Sequence, residues 1–397
     1  GVDAATIFSS LQLEQDVSPP LLQRVRDKAL AAGLMLNGGN IMRFFNFRDG
    51  AWLSGFDTRD HRRPGNVALL SQSGAGMSGI LDCEERLDFN FAASTGQELC
   101  LGMEDYLDFV LDLPETRVVG LFLETSRQPQ KFIQALEKAR ERQIPIVAIK
   151  VGKSALAAAL AVSHSGALAG SDASYQAVFE RYGVQRVDDM AQLAAALMLF
   201  AQPHPVAAGG LVTLHDSGGE RQLAIDLAEQ LQVPWAELAP GTVARLRSSL
   251  DPELPAVNPL DAWGSGGADA PEVMTACFSA LLADPGAALG AVVHDRAPGG
   301  EIYPAYLDYL RAAHRATGKP VCLVANHQGS GSDPRVLAAV AEGMPVIDGM
   351  REFLVGVRCL LAYRDFLSQD PVADLSAVNP GELSRWRERI KSSQGLG

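Results

Sequence analysis

Cysteine is scarce in this chain. There are five in 397 residues, at Cys83, Cys100, Cys277, Cys322 and Cys359, and no two of them form a CxxC pair. That scatter argues against a disulfide framework and a thiolate metal site, and it fits a reducing cytoplasm. Basic charge is also short: 34 Lys and Arg against 47 Asp and Glu give a formal net charge of −13. The balance excludes the basic stripe that a nucleic-acid surface needs to displace counterions. An anionic ligand would have to be held by helix ends and a few local cations. No uninterrupted apolar span reaches membrane length and no signal peptide is read, so a soluble cytoplasmic protein is expected. A GxGxxG after the first strand is missing, which argues against a nicotinamide-dependent dehydrogenase. The stretch Ser71-Gln72-Ser73-Gly74 lacks the glycine two residues before the serine, which argues against a hydrolase elbow.

What is present is layered. Apolar residues make up 47% of the chain with only 7% aromatics, which suits α/β packing around an ample core. The length allows two or three domains. Strand-like and helix-like runs alternate almost throughout, as in a largely parallel sheet flanked by helices. Residues 1–59 offer a strand, a helix at 21–32 and a short strand ending near Asn46. A charged stretch with Pro64 leads into a second unit at 65–200, with strands at 118–123 and 146–150 and helices at 128–142 and 174–182. The run Ala201-Gln202-Pro203-His204-Pro205 reads as a linker. A third unit at 208–367 has strands at 211–214, 289–293 and 321–324, and helices at 220–231, 271–282, 302–316 and 333–341. Residues 368–397 read as a linker with one amphipathic helix, and both ends of the chain read as cut.

Two segments echo one another: GNVALLSQSG at 65–74 and GGLVTLHDSG at 209–218. Each is a strand running into a Ser-Gly turn and then a helix. Helix N-termini carry unpaired N–H groups and a partial positive charge, and glycine lets an anion approach the backbone closely. Ser73 and Gly74, and Ser217, Gly218 and Gly219, are therefore candidate phosphate-binding turns. Between them lies Ser163-His164-Ser165-Gly166, a histidine among small residues with little steric cover. This suggests an imidazole that receives and releases a phosphoryl group, although a histidine that merely caps a helix is the plainer alternative. Such chemistry needs one neutral ring nitrogen as nucleophile and a partner for the other. Glu124, at the end of an apolar strand where α/β sites form, is the candidate partner. Lys150, at the end of the next strand, is either a phosphate contact or a surface lysine.

These residues carry a resemblance. The chain resembles the NDP-forming acyl-CoA synthetases (ADP-forming acid–CoA ligases), relatives of succinyl-CoA synthetase. The motifs are GNVALLSQSG at 65–74, LFLE at 121–124 and VSHSGALAGSD at 162–172, followed by GVQRVDD at 183–189, NPLD at 258–261 and GMPVI at 343–347. They occur in family order along nearly the whole chain, and VSHSGALAGSD is the most specific of them. The resemblance implies a partial Rossmann-like CoA-binding unit followed by two flavodoxin-like parallel-sheet domains. It implies that His164 is transiently phosphorylated, that Glu124 orients it, and that the two Ser-Gly turns cradle the phosphate. In the family an ATP-grasp domain phosphorylates the histidine using ATP and Mg2+. The phosphate passes to a carboxylic acid, and CoA sulfur attacks the acyl phosphate.

The departures shape the expectations. Residues 1–59 look like the second half of the CoA-binding domain, without its Gly-rich turn. Gly38-Gly39-Asn40 stands where the family reads Gly-Pro-Asn, so Asn40, with Gly166 and Lys150, is a candidate substrate or CoA contact. No ATP-grasp sequence is present, although 386–397 resembles the run-in to one, so an ATP-grasp domain or subunit is the expected partner. A homodimer or hetero-oligomer is expected with it. Implied acids run from acetate to aryl acids and hydroxycinnamates such as ferulate. Cys100 and Met103 are either acyl contacts or core, and Trp263 either stacks on an aromatic acid or fills a loop. The alternative function is a non-catalytic CoA-binding or regulatory member of the same superfamily.

Overall fold

The computed structural model describes residues 2–61, 63–154, 156–157, 171–295, 297, 300–326, 329 and 333–369. His164 and Gly166, and the helix expected within 368–397, lie outside the described residues. No helix among the described residues is long and apolar enough to cross a membrane.

The chain opens with β1 (Ala4–Ile7), the helix Leu21–Ala31 and β2 (Met35–Gly38), the two strands pairing in parallel. Asp16 supports the helix start by accepting the Leu21 N–H at 2.6 Å. The helix buries Ala29 against Leu36 and Leu99, with Ala5 and Ile7 alongside. Residues next in line do not stay with this unit. A hairpin of β3 (Arg43–Asn46) and β4 (Ala51–Ser54) is turned by Asn46, whose amide donates to Asp49 at 2.8 Å.

That hairpin joins a larger sheet as its edge. The strands β5 (Val67–Ser71), β6 (Phe89–Ser94), β7 (Val118–Leu123), β8 (Ile146–Lys150) and β9 (Gln185–Val187) complete seven in the order β4-β3-β6-β5-β7-β8-β9. β3 pairs antiparallel with β6, and the strands from β6 to β9 are parallel. A boundary at residue 59 is therefore a boundary in sequence, while hydrogen bonding assigns 43–54 to the second unit. The reason is side-chain alternation. Phe45 and Phe47 pack on one face with Phe89, and Phe44 packs on the other against Phe91, edge-on at 5.3 Å. The charged 59–65 stretch is strapped down as well: Arg59 donates to the carbonyls of Leu81, Glu84 and Leu87.

The third unit is a five-stranded sheet. It consists of β10 (Gly210–His215), β11 (Leu260–Asp261), β12 (Ala287–His294), β13 (Val321–Ala325) and β14 (Val346–Asp348), in the order β11-β10-β12-β13-β14 and parallel throughout. Its core packs Phe278, Leu281 and Leu282 of the helix Ala270–Leu282 against the sheet. The fold is thus α/β, a partial Rossmann-like unit followed by two flavodoxin-like units.

The two larger units meet along a pair of helices, Met190–Phe200 and Met350–Leu367. From Gln192 to Phe200 every residue is buried. The approach is close because of Gly356, where an added Cβ would come within 2.8 Å of Leu199 and 3.4 Å of the Ala195 backbone. Leu193, Leu197 and Leu199 are at most 6% exposed, and full burial of such a side chain contributes roughly 1.5–3 kcal/mol.

Candidate functional site

The carboxyl edge of the seven-stranded sheet collects five of the ten predicted site residues. β5 ends at Ser71, and Ser73 caps the helix Gly74–Leu81, accepting the Gly76 N–H on its hydroxyl at 3.1 Å. The remaining first-turn N–H groups have no acceptor within the helix and leave a partial positive charge at the turn. A Cβ at position 74 would come within 2.3 Å of the Met42 side chain, so any larger residue there would have to displace that methionine. β7 ends at Leu123, and half-buried Glu124 follows it. Glu124 and Thr125 both donate their N–H to Gln72 Oε1, at 2.7 and 2.9 Å. The candidate orienting carboxylate is thereby tied to the residue just before the Ser73 turn.

Lys150 ends β8, paired with Leu123. It is not a surface lysine: it is fully buried, and its Nζ lies 4.6 Å from the centre of the Tyr175 ring while donating to the Val151 carbonyl. Burial holds its pKa below the ordinary lysine value, with the Asp172 and Glu124 carboxylates pulling the other way. Tyr175 also accepts the Ser126 N–H on its hydroxyl at 2.7 Å. The loop after β7 is therefore held from both sides.

Asn40 reaches the same edge. The Gly38-Gly39-Asn40 turn leaves β2 and packs on 95–99, where Gln97 and Leu99 donate N–H to the carbonyls of Gly39 and Gly38, each at 2.8 Å. Asn40 itself is exposed. Glu98 of that stretch accepts from Gln72 Nε2 at 2.9 Å. Asn40, Ser73, Gly74, Glu124 and Lys150 thus line one edge. Met103 is 1% exposed and belongs to the core, while Trp263 is 39% exposed.

The second turn lies on the other sheet. β10 ends at His215, and Ser217 caps the helix Gly218–Leu231 by accepting the Glu220 N–H at 3.5 Å. The echo seen in sequence is a repeat in structure, strand into Ser-capped helix. The surroundings differ in charge. Asp261 stands beside Gly218, the Tyr306 hydroxyl donates to Asp216, and Asp295 lies near Glu220. Burial pushes Glu220 up to about 7, with Asp295 and Asp216 adding to the effect. Buried His215 is pushed down to about 3 by desolvation and stays neutral. Among the described residues no hydrogen bond joins Ser217, Gly218 or Gly219 to Ser73 or Gly74.

The raised Glu220 has a pH signature. Below about pH 4.5, its ordinary value, the carboxyl is protonated in folded and unfolded chains alike and costs nothing. As pH rises toward 7 the unfolded chain loses the proton first, so the folded state is penalised. Glu220→Gln should therefore raise stability by about 1 kcal/mol at pH 8, a figure discounted for a half-exposed side chain. Thermal melts at pH 8 and pH 4 check this, since the gain should vanish in acid.

Sequence reasoning missed Gln72, Glu98, Glu104 and Tyr175. Gln72 stands within GNVALLSQSG and could have been noticed there. Glu104 is 1% exposed and accepts the Ser126 hydroxyl at 2.5 Å and the Gln128 N–H at 3.1 Å. No periodic signal in the sequence marks the last three.

Ser-capped helix ends thus stand at the carboxyl edges of the parallel strands in both larger sheets, the first of them near the Glu124 carboxylate and buried Lys150. Residues 64–200 match the family described as succinyl-CoA ligase like flavodoxin domain. A trans-feruloyl-CoA synthase from an unidentified prokaryote is 29% identical over 339 residues, covering 82% of this chain and 45% of that protein. An ADP-forming acetate–CoA ligase of Archaeoglobus fulgidus is 28% identical, covering 87% of this chain and 48% of that protein. The chain thus spans about half the length of these relatives. A solved structure of a dinucleotide-forming acetyl-coenzyme A synthetase from Ca. Korarchaeum cryptofilum, in complex with phosphate and ADP, shares the fold at a TM-score of 0.78 and 22% identity. That match covers 92% of this chain and 78% of the other. The second unit thus matches the succinyl-CoA ligase like flavodoxin domain, and most of the chain is similar in sequence to these two CoA-ester-forming relatives.

Proposed function

We propose that this chain is the phosphoryl-relay part of an ADP-forming acid–CoA ligase, with His164 as the carrier. The observation that carries the reading is the shared edge: the Ser73 anion turn and Glu124 sit on neighbouring strands and are tied together by one glutamine. An ATP-grasp domain or subunit, as partner in a homo- or hetero-oligomer, would supply Mg2+-ATP, and the γ-phosphoryl would pass to the imidazole as ADP leaves. A carboxylate then attacks phosphorus, freeing the imidazole and giving an acyl phosphate. CoA sulfur attacks the acyl carbon and expels phosphate. Splitting the condensation into these exchanges is the gain of covalent catalysis. Helix-end N–H groups at Ser73 and Gly74, and at Ser217, Gly218 and Gly219, would stabilise the phosphoryl charge. Asn40 and Gly166 would lie along the path of CoA or acid, and buried Lys150 would set the potential beneath Glu124. The acid is of the acetate or aryl class, as the two relatives above suggest.

The test is direct. With the ATP-grasp part supplied and Mg-ATP added, acid-labile phosphate should appear on His164 and be absent from His164→Ala. No label on either sample, in protein that is folded and binds ATP, would replace this reading with a non-catalytic CoA-binding role.

A further inference from the structure

The position of the Glu124 carboxylate depends on the backbone that carries it, and that backbone is held by a side chain with no assigned role. Gln72 is 8% exposed. Its Oε1 accepts the N–H groups of Glu124 and Thr125, and its Nε2 donates to the Thr125 carbonyl at 2.7 Å and to Glu98 Oε1 at 2.9 Å. Two donors and two acceptors are all that a glutamine amide offers, so its capacity is used in full. Its own N–H donates to the Phe122 carbonyl at 3.0 Å, and the next residue is the helix cap Ser73.

Glu98 fixes the far end. Its side chain is 1% exposed, and its Oε1 also accepts the Thr95 hydroxyl at 2.8 Å and the Met103 N–H at 3.1 Å, while Oε2 pairs with Arg127 Nε at 3.0 Å. The Gln72 amide is thus anchored before it reaches Glu124. A position that required only packing would accept methionine, whereas this one requires an acceptor for the Glu124 and Thr125 N–H groups and a donor for the Thr125 carbonyl.

We propose that Gln72, held by Glu98, is the positioning residue that sets Glu124 at a fixed distance from the Ser73 anion turn. The inference rests on the proposed function, and the experiment separates the two. The chain is treated with phosphoramidate, a small phosphoryl donor that transfers PO3 to an imidazole nitrogen and releases ammonia. Phosphate on each histidine is followed by mass spectrometry, and thermal melting is recorded on the same samples. In the parent, His164 should be labelled faster than the other histidines, and Glu124→Ala should abolish that advantage. If His164 shows no advantage, the functional reading falls and the inference falls with it.

Given the advantage, Gln72→Met should slow His164 labelling by roughly 10–10²-fold, the cost of a small misplacement. In the Glu124→Ala background the same change should alter the rate by less than about twofold, because coupled residues are not additive. Gln72→Glu should recover rate as pH falls, since a neutral carboxyl can accept from the two N–H groups and donate to Glu98, whereas an ionised one faces Glu98 in repulsion. This second variant decides the matter if Gln72→Met does not fold. A parent-like rate in Gln72→Met, an equal loss in both backgrounds, or a Gln72→Glu rate that ignores pH would overturn the proposal.

Discussion

Arg86→Leu is expected to cost about 3 kcal/mol of folding stability at neutral pH, the largest loss anticipated for a single change at the seam between the two sheets. Arg86 leaves the first flavodoxin-like unit just after the helix Gly74–Leu81. Its side chain is 9% exposed. Nε and Nη2 donate to the two carboxylate oxygens of Glu84, both at 2.6 Å, while Nη1 donates to Asp348 Oδ2 at 2.8 Å and to the Val346 carbonyl at 3.1 Å. Asp348 and Val346 belong to β14 of the other unit, so one planar guanidinium joins two sheets that otherwise meet through apolar helices. Burial alone would lower the arginine pKa, but Glu84 and Asp348 outweigh it and hold it raised.

Removal of the cation leaves Glu84 and Asp348, 9% and 8% exposed, without their shared counter-charge. Breaking a buried pair from one side is costly because the remaining charges are desolvated. Arg86→Lys should fall between parent and leucine, since an ammonium cannot make the forked contact. Urea unfolding of the three proteins at pH 7 measures both effects. A leucine variant as stable as the parent at pH 7 would mean that the apolar helices hold the seam unaided.

The sequence reading succeeded where information is local. β7 and β8 are uninterrupted apolar runs buried on both faces, and the structure ends them at Leu123 and Lys150, as their composition predicts. The Ser-Gly echo was legible because a strand, a capping serine and a glycine are neighbours in sequence. The hairpin at 43–54 was not, since β3 pairs with β6 more than forty residues later, and nothing in its own four residues names that partner. Lys150 was misjudged as a possible surface residue for a related reason. Its burial depends on Tyr175, a residue of a later helix. The Gln72, Glu98 and Glu124 network draws on three separate loops, and it exists only once the sheet has set their order.

Glu124→Gln should slow phosphorylation of His164 by about 10²–10³-fold while leaving the melting temperature nearly unchanged. The two halves of that expectation come from different facts. Stability should barely move because the side chain is half-buried and its main-chain N–H, which the substitution retains, carries the tie to Gln72 at 2.7 Å. Rate should fall because glutamine keeps the shape but removes the charge. A carboxylate holds an imidazole N–H and stabilises the positive charge that develops on the ring as the other nitrogen attacks phosphorus, and an amide supplies little of this. The lysine beneath makes the contrast sharper. Glu124 helps to hold the charge on Lys150 against desolvation, so its neutralisation should also favour loss of the Lys150 proton and weaken the local field on a bound phosphate. Glu124→Asp keeps the charge but withdraws it by one methylene, and should lose less than glutamine if charge dominates and more if reach dominates. Rapid-quench labelling of the three proteins, with melting curves beside them, separates these terms. Equal rates for parent and Glu124→Gln would remove Glu124 from the relay and leave the Ser73 turn as the supported part of the site.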